Sequence, residues 1–200
     1  IETKRVKRNP LAPFTTSTLQ QEASRKLSFS ASRTMRAAQK LYEGLNIGSE
    51  VTGLITYMRT DSVQLSKDSI TDLRKMITNE YGDSYCPEKL KIYKSKVANA
   101  QEAHEAIRPT DVNRMPKTVK AYLDDDCYKL YDLIWKRTVS SQMASAIINK
   151  TIIDVESINK TDIQNFVTLR ANGSVIKFDG FLKIYNEGVD EKNPSEMDDN

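Results

Sequence analysis

Cysteine is nearly absent from this 200-residue chain: only Cys86 and Cys127 occur, and neither sits at a metal-ligand spacing. A disulfide framework and a thiolate zinc site are thereby excluded, and a reducing, cytosolic setting is the simplest expectation. No apolar run is long enough to span a bilayer. The chain opens Ile1-Glu2-Thr3-Lys4-Arg5, with neither an apolar leader nor an initiator methionine, and reads as a piece of something longer. Histidine occurs once, as His104, and there are no internal repeats.

What remains is enough for a real core in one domain or two small ones. The formal net charge is only +3, but it is unevenly spread. Lys4, Arg5, Lys7, Arg8, Arg33 and Arg59 belong to a basic first sixty residues whose acids are Glu2, Glu22, Glu43 and Glu50. The tail reverses the sign with Glu187, Asp190, Glu191 and Glu196. A basic end rich in Ser and Thr suits a phosphate backbone, and equally a solvated basic face with no ligand.

Residues 1–14 are expected to be extended, since Pro10 and Pro13 oppose helix. Helices are expected from Thr15 or Thr16 to Lys26, from Ser32 to Gly44, and from Lys67 to Tyr81 between a Ser66 cap and a Gly82 stop. Met35, Ala38, Leu41 and Tyr42 form the buried stripe of the second; Ile70, Leu73 and Ile77 that of the third. Residues 45–53 read as a loop and 54–58 as a short extended piece. Residues 82–101 read as irregular and 101–107 as one helical turn, followed by helices near 117–124 and 126–143. Trp135 and Tyr131 are assigned to the core. Beyond residue 147 the period changes to two, giving strands at 151–156, 166–170 and 175–178, with Asn172-Gly173 as a hairpin turn, and a further strand at 181–185. Residues 187–200 read as a disordered tail.

The fold class expected is α+β: an arm over 1–14, a mainly helical block over 15–146, and β-strands over 147–186 that pair with the arm in a second β domain. A block hung from a sheet by two adjacent strands is free to hinge; a single α+β domain without relative movement is the alternative.

Chemistry concentrates in Ile55-Thr56-Tyr57-Met58-Arg59-Thr60-Asp61-Ser62. A phenol, with an ordinary pKa of about 10, is a poor nucleophile at neutral pH. A neighbouring guanidinium stabilises both a phenolate and a phosphate before it, so this grouping suits attack on a phosphodiester. Taken alone, the stretch is better described as a half-buried strand, with Ile55, Tyr57 and Arg59 on one face and Thr56, Met58 and Thr60 on the other. The consecutive Asp124-Asp125-Asp126 is no metal site, because successive helical residues point about 100° apart.

Four stretches in order resemble the type IA DNA topoisomerases of bacteria: 9–21 (NPLAPFTTSTLQQ), 32–44 (from SRTM to AAQKLYEG), 55–62 (ITYMRTDS) and 101–110 (QEAHEAIRPT). The resemblance implies that Tyr57 is the nucleophile and Arg59 its catalytic and DNA-binding companion. It implies a 5′-phosphotyrosine link to single-stranded DNA, relaxation of negative supercoils by strand passage, and religation without ATP. His104 and Arg33 are the further DNA-binding positions, and Asp61, Thr60 and Arg108 supporting ones. An Asp61–His104 hydrogen bond is expected, and the loop at 45–52 is longer than the turn usual in the family. The resemblance also implies Mg2+ in the full-length enzyme, with ligands outside this chain, which has no Gly-rich entry followed by an Asp-x-Asp cluster. The piece alone is therefore expected to be inactive, and the enzyme to be monomeric, cytoplasmic and nucleoid-associated. A non-catalytic module that binds single-stranded nucleic acid is the alternative.

Overall fold

The computed structural model describes residues 1–48, 50–93, 105–156 and 168–186. In chain order it forms strand β1 (Glu2–Arg8), helices α1 (Thr16–Leu27) and α2 (Ala31–Glu43), a short β2 (Leu45–Asn46) and β3 (Val51–Thr52), and helix α3 (Lys67–Tyr81). A one-turn α4 (Pro116–Val119), the long α5 (Asp125–Gln142), and strands β4 (Ala146–Glu156) and β5 (Thr168–Phe178) follow. The fold is α+β, with three antiparallel strands in the order β1-β4-β5 and the helices inserted between β1 and β4.

The helix ends follow capping chemistry. Thr15, Ser30, Ser66 and Asp124 each accept a backbone N–H in the first turn of α1, α2, α3 and α5, supplying acceptors for donors that have none within the helix. Gly44 and Gly82 close α2 and α3. Helix α5 is the central post. Its whole last stretch from Arg137 to Gln142 is buried, and hydroxyls there are satisfied within the helix: Thr138 donates to the Ile134 carbonyl at 2.9 Å and Ser141 to that of Thr138 at 2.6 Å. Tyr131 and Trp135 are core residues, donating to the carbonyls of Arg114 (2.7 Å) and Val112 (2.8 Å).

Several local expectations are corrected. Asn172-Gly173 is not a turn: Asn172 pairs with Ile152 and Gly173 with Thr151 in the middle of β5, and Gly173 has no positive φ. A dipeptide that favours a turn yields to the ladder with β4, which runs unbroken from Ile148 to Glu156 on either side of it. Residues 181–185 form no strand; Gly180–Lys183 is a 3-10 turn. Gly180 makes it possible at φ 49°, since a Cβ there would lie 2.4 Å from the Ala144 carbonyl oxygen. The loop at 45–52 is a small hairpin, β2 on β3. The helix near 117–124 is α4 continued by a 3-10 turn over Lys120–Tyr122. Residues 105–107 are extended rather than helical, bridging Ile107 to Phe14; the rest of that turn, and the tail at 187–200, lie outside the described residues.

The chain after β5 returns to the helices through a buried polar cluster. Tyr185 donates to Glu22 at 2.8 Å and accepts from Arg137 at 3.2 Å, while Arg137 also donates to the Ala12 carbonyl at 2.7 Å. Lys26 lies 3.7 Å from Glu22, and burial pulls its ammonium below the ordinary value against the pull of that carboxylate. Glu22, itself buried, thus meets the Lys26 ammonium and, through the Tyr185 hydroxyl, the Arg137 guanidinium, binding α1 and α5 to the arm and to the segment after β5. Removing one partner of such a group leaves buried charge uncompensated. Glu22→Met is therefore expected to cost on the order of 3–5 kcal/mol, read as a lower urea midpoint; a loss below about 1 kcal/mol, typical of exposed pairs, would show these charges to be solvated.

Candidate functional site

The stretch bearing Tyr57 is not a strand of any sheet: the chain bends at 56 and at 58–59, and its single ladder contact is an isolated bridge from Ile55 to Pro109. It is held instead by three neighbours. On the α2 side, Leu54 N–H donates to the Leu41 carbonyl at 2.7 Å, and the approach requires Gly53, where a Cβ would sit 2.5 Å from the Tyr42 carbonyl oxygen. On the second side runs 105–110. Thr110 N–H donates to the Leu54 carbonyl (3.0 Å), Thr56 N–H to that of Arg108 (2.9 Å), and the Thr56 hydroxyl to that of Ala106 (2.7 Å). On the third, the first turn of α1 meets residues 58–60. The Thr16 hydroxyl donates to the Met58 carbonyl at 2.8 Å and accepts from Thr60 N–H at 2.9 Å, and Thr16 N–H donates to the Thr60 carbonyl at 2.9 Å.

This mounting decides which side chains face solvent. Met58, Thr60 and Ser62 are buried, and Tyr57, Arg59 and Asp61 between them are exposed, with Tyr57 at 42%. Ile55 does not share their face, as a regular strand would require; it is 1% exposed because the chain is already folded under α2 there. Thr60 supports the site through its backbone and its hydroxyl, which accepts from Ser62 N–H at 3.0 Å. The Tyr57 ring meets that of Tyr42 edge to face, 5.3 Å between centres and 64° between planes. Tyr42 was assigned to the stripe of α2 by its spacing; it lies at the stripe's margin, 41% exposed, and flanks Tyr57 instead.

The other candidates separate. Arg33 is engaged by Asp126 through two hydrogen bonds of 2.7 and 2.8 Å and stacks over Phe29. Asp124 caps α5, its carboxyl held below the ordinary value first by the Cys127 N–H, and pairs with Lys40 at 2.9 Å. The aspartate run is thus a capped, paired helix start, and among the described residues no cluster of His, Cys, Asp or Glu could hold a metal ion. Arg108 is turned inward to Glu105, at 2.6 and 3.0 Å, and to the Pro109 carbonyl. His104, and with it the Asp61–His104 hydrogen bond, lies outside the described residues.

Two positions carry the mounting without having been singled out. Nothing local in the sequence marks Thr16, a residue suited to starting α1, as bound to a partner 42 residues away. Glu105 accepts from Ser66 N–H at 2.9 Å at the start of α3 and pairs with Arg108. Burial works against its ionisation, but the Ser66 hydrogen bonds and the Arg108 charge prevail and hold its carboxyl below the ordinary value. A depressed carboxylate contributes stability above its unfolded pKa, about 4.3, which is lost as pH falls through the folded value. Glu105→Gln is expected to lower stability at neutral pH, with the deficit narrowing below about pH 4.3 in urea titrations at several pH values. A deficit independent of pH would contradict that.

An exposed tyrosine and arginine on a braced segment, within helices inserted into a β-sheet, are what a family shared with known proteins has to account for. The DNA topoisomerase family model matches residues 1–199, and the chain belongs to that family. Among its relatives, DNA topoisomerase 1 of Rickettsia felis is 56% identical over 192 residues, 96% of this chain and 24% of that protein. DNA topoisomerase 1 of Xylella fastidiosa (strain Temecula1) is 49% identical over all 200 residues, again 24% of the relative. The chain thus spans about a quarter of the length of these curated relatives. The solved full-length topoisomerase I of Thermotoga maritima superposes with a TM-score of 0.75 at 38% identity, covering 96% of this chain and 30% of that one.

Proposed function

We propose that this chain is the tyrosine-bearing part of a bacterial type IA DNA topoisomerase, and that Tyr57 is its nucleophile. The observation that carries the reading is the alternation at 57–61, which presents Tyr57, Arg59 and Asp61 to solvent while the residues between them are locked into the fold. The Tyr57 oxygen attacks the phosphorus of a single-stranded phosphodiester. A P–O bond to tyrosine forms, the bond to the 3′ oxygen breaks, the phenol gives up its proton, and the 3′ oxygen gains one. One exchange becomes two reversible ones, and the ester retains the bond for religation, so ATP is not needed.

Arg59, two residues from Tyr57 and likewise exposed, is placed to reach the same phosphate. Its planar donors neutralise charge growing on the phosphoryl oxygens. Tyr42 limits the swing of the Tyr57 ring. Thr16, Thr56 and Glu105 hold the backbone, so the nucleophile is presented by a rigid support.

The residues described here hold no metal site of their own. Mg2+ would be held by acidic residues elsewhere in the longer protein and would stabilise phosphate charge there, so this piece alone is expected to bind single-stranded DNA without relaxing supercoils. Lifting the helices on the two segments that join them to the sheet, 9–15 and 143–145, would open a gate for strand passage. The direct test is Tyr57→Phe in the longer protein. Loss of the covalent protein–DNA adduct with folding retained agrees with the reading, and persistence of the adduct removes Tyr57 as nucleophile.

A further inference from the structure

Away from Tyr57, where β1 and β4 meet the end of α5, the surface is indented by a cleft of about 380 Å³. Its floor is apolar, Ile147 and Phe178, and its walls carry Lys7, Lys89, Lys91 and Ser145. No carboxylate lines it, and among the described residues none of the three lysines is ion-paired. Lys91 is fixed in place. Its ammonium donates to the Ser145 hydroxyl at 3.2 Å, that hydroxyl donates to Asn9 at 2.7 Å, and its carbonyl accepts from the Gln142 amide at 3.2 Å.

An arrangement of like charges without a counter-ion is costly unless an anion completes it. Burial, and after it the charge of Lys7, pulls the Lys91 ammonium below its ordinary value, a penalty that a bound anion would reverse. The cationic line also extends beyond the cleft. Arg5 lies two residues before Lys7 on the same face of β1, opposite Asn149 as Lys7 is opposite Ile147. Positive groups about 7 Å apart along a strand suit a polyanion with regularly spaced phosphates better than one isolated phosphate.

We propose that this cleft is a second nucleic-acid contact, in which Lys7, Lys89 and Lys91 hold the phosphodiester backbone of a strand. It rests on the reading of the chain as part of a DNA-acting enzyme, and shares no residue with the Tyr57 segment or its mounting. Lying where the helices join the sheet, a strand held there would contact both parts of the fold.

The test uses the longer protein in a Tyr57→Phe background and measures single-stranded oligonucleotide affinity from about 50 to about 200 mM salt. The pair Lys89→Met and Lys91→Met is expected to reduce the slope of log affinity against log salt by about 0.7 per lysine. Lys91→Arg, which keeps the charge, is expected to leave the slope unchanged, so that a loss in the Met variants is not misfolding. An unchanged slope in the double Met variant overturns the proposal. That failure is separable from failure of the Tyr57 reading: with Tyr57 intact, the double Met variant is expected still to form adduct on a short oligonucleotide, whereas an adduct surviving Tyr57→Phe condemns the nucleophile and leaves the lysine measurement standing.

Discussion

Tyr57→Phe in the longer protein is expected to abolish adduct formation and to lower relaxation by a factor on the order of 10^6, the scale on which loss of a covalent nucleophile acts. The change removes one oxygen from a side chain that is 42% exposed and makes its recorded contact through the ring, edge to face with Tyr42. Phenylalanine keeps that contact. Thermal unfolding and DNA affinity should therefore stay close to the parent while the chemical step is lost. A partial loss, within about tenfold, would mean that another group attacks and that Tyr57 only lines the site.

Gly53→Ala is expected to give the second largest effect, from a residue that touches no substrate. A Cβ at Gly53 would lie 2.5 Å from the Tyr42 carbonyl oxygen, closer than a carbon and an oxygen can approach. The Gly53 conformation is not itself restricted to glycine; space alone decides. Relief requires the chain at 53–54 to move away from α2, breaking or stretching the 2.7 Å bond from Leu54 N–H to the Leu41 carbonyl and shifting Tyr57 against Tyr42 and Arg59. Overpacking of this kind costs about 1–3 kcal/mol. A displacement near 1 Å at the nucleophile costs about 10²-fold in rate. Single-turnover cleavage should thus fall by about two orders of magnitude with a modest drop in unfolding midpoint. Unchanged cleavage would show that the α2 contact does not position Tyr57.

The sequence disclosed those parts of the fold that local chemistry decides. Helix α3 begins after Ser66 and ends before Gly82 because a hydroxyl acceptor and a chain-terminating glycine stand at its ends. The pairing of the basic arm with the strands beyond residue 147 followed from two extended segments flanking a helical one. What local signals could not show were choices made by partners distant in sequence. Asn172-Gly173 has turn chemistry, but the ladder with Ile152 and Thr151 overrides it. Tyr42 has core spacing, but a margin of the apolar stripe is buried or exposed according to what packs beside it, and here that is Tyr57. At the candidate site, Tyr57, Arg59 and Asp61 are exposed while Met58 and Thr60 between them are buried. Arg33 and Arg108, equally basic in sequence, are engaged by Asp126 and Glu105. The mounting by Thr16 and by the chain at 105–110 is visible only in three dimensions.

The most direct measurement is the position of the DNA on the protein. The cleavage complex of the longer protein is trapped with denaturant, the DNA trimmed to a nucleotide remnant, and the peptides mapped by mass spectrometry. The account predicts the remnant on Tyr57, joined through a 5′ phosphate. A remnant on Tyr42, whose ring centre is only 5.3 Å away and whose exposure is nearly equal, or a link through a 3′ phosphate, would contradict it.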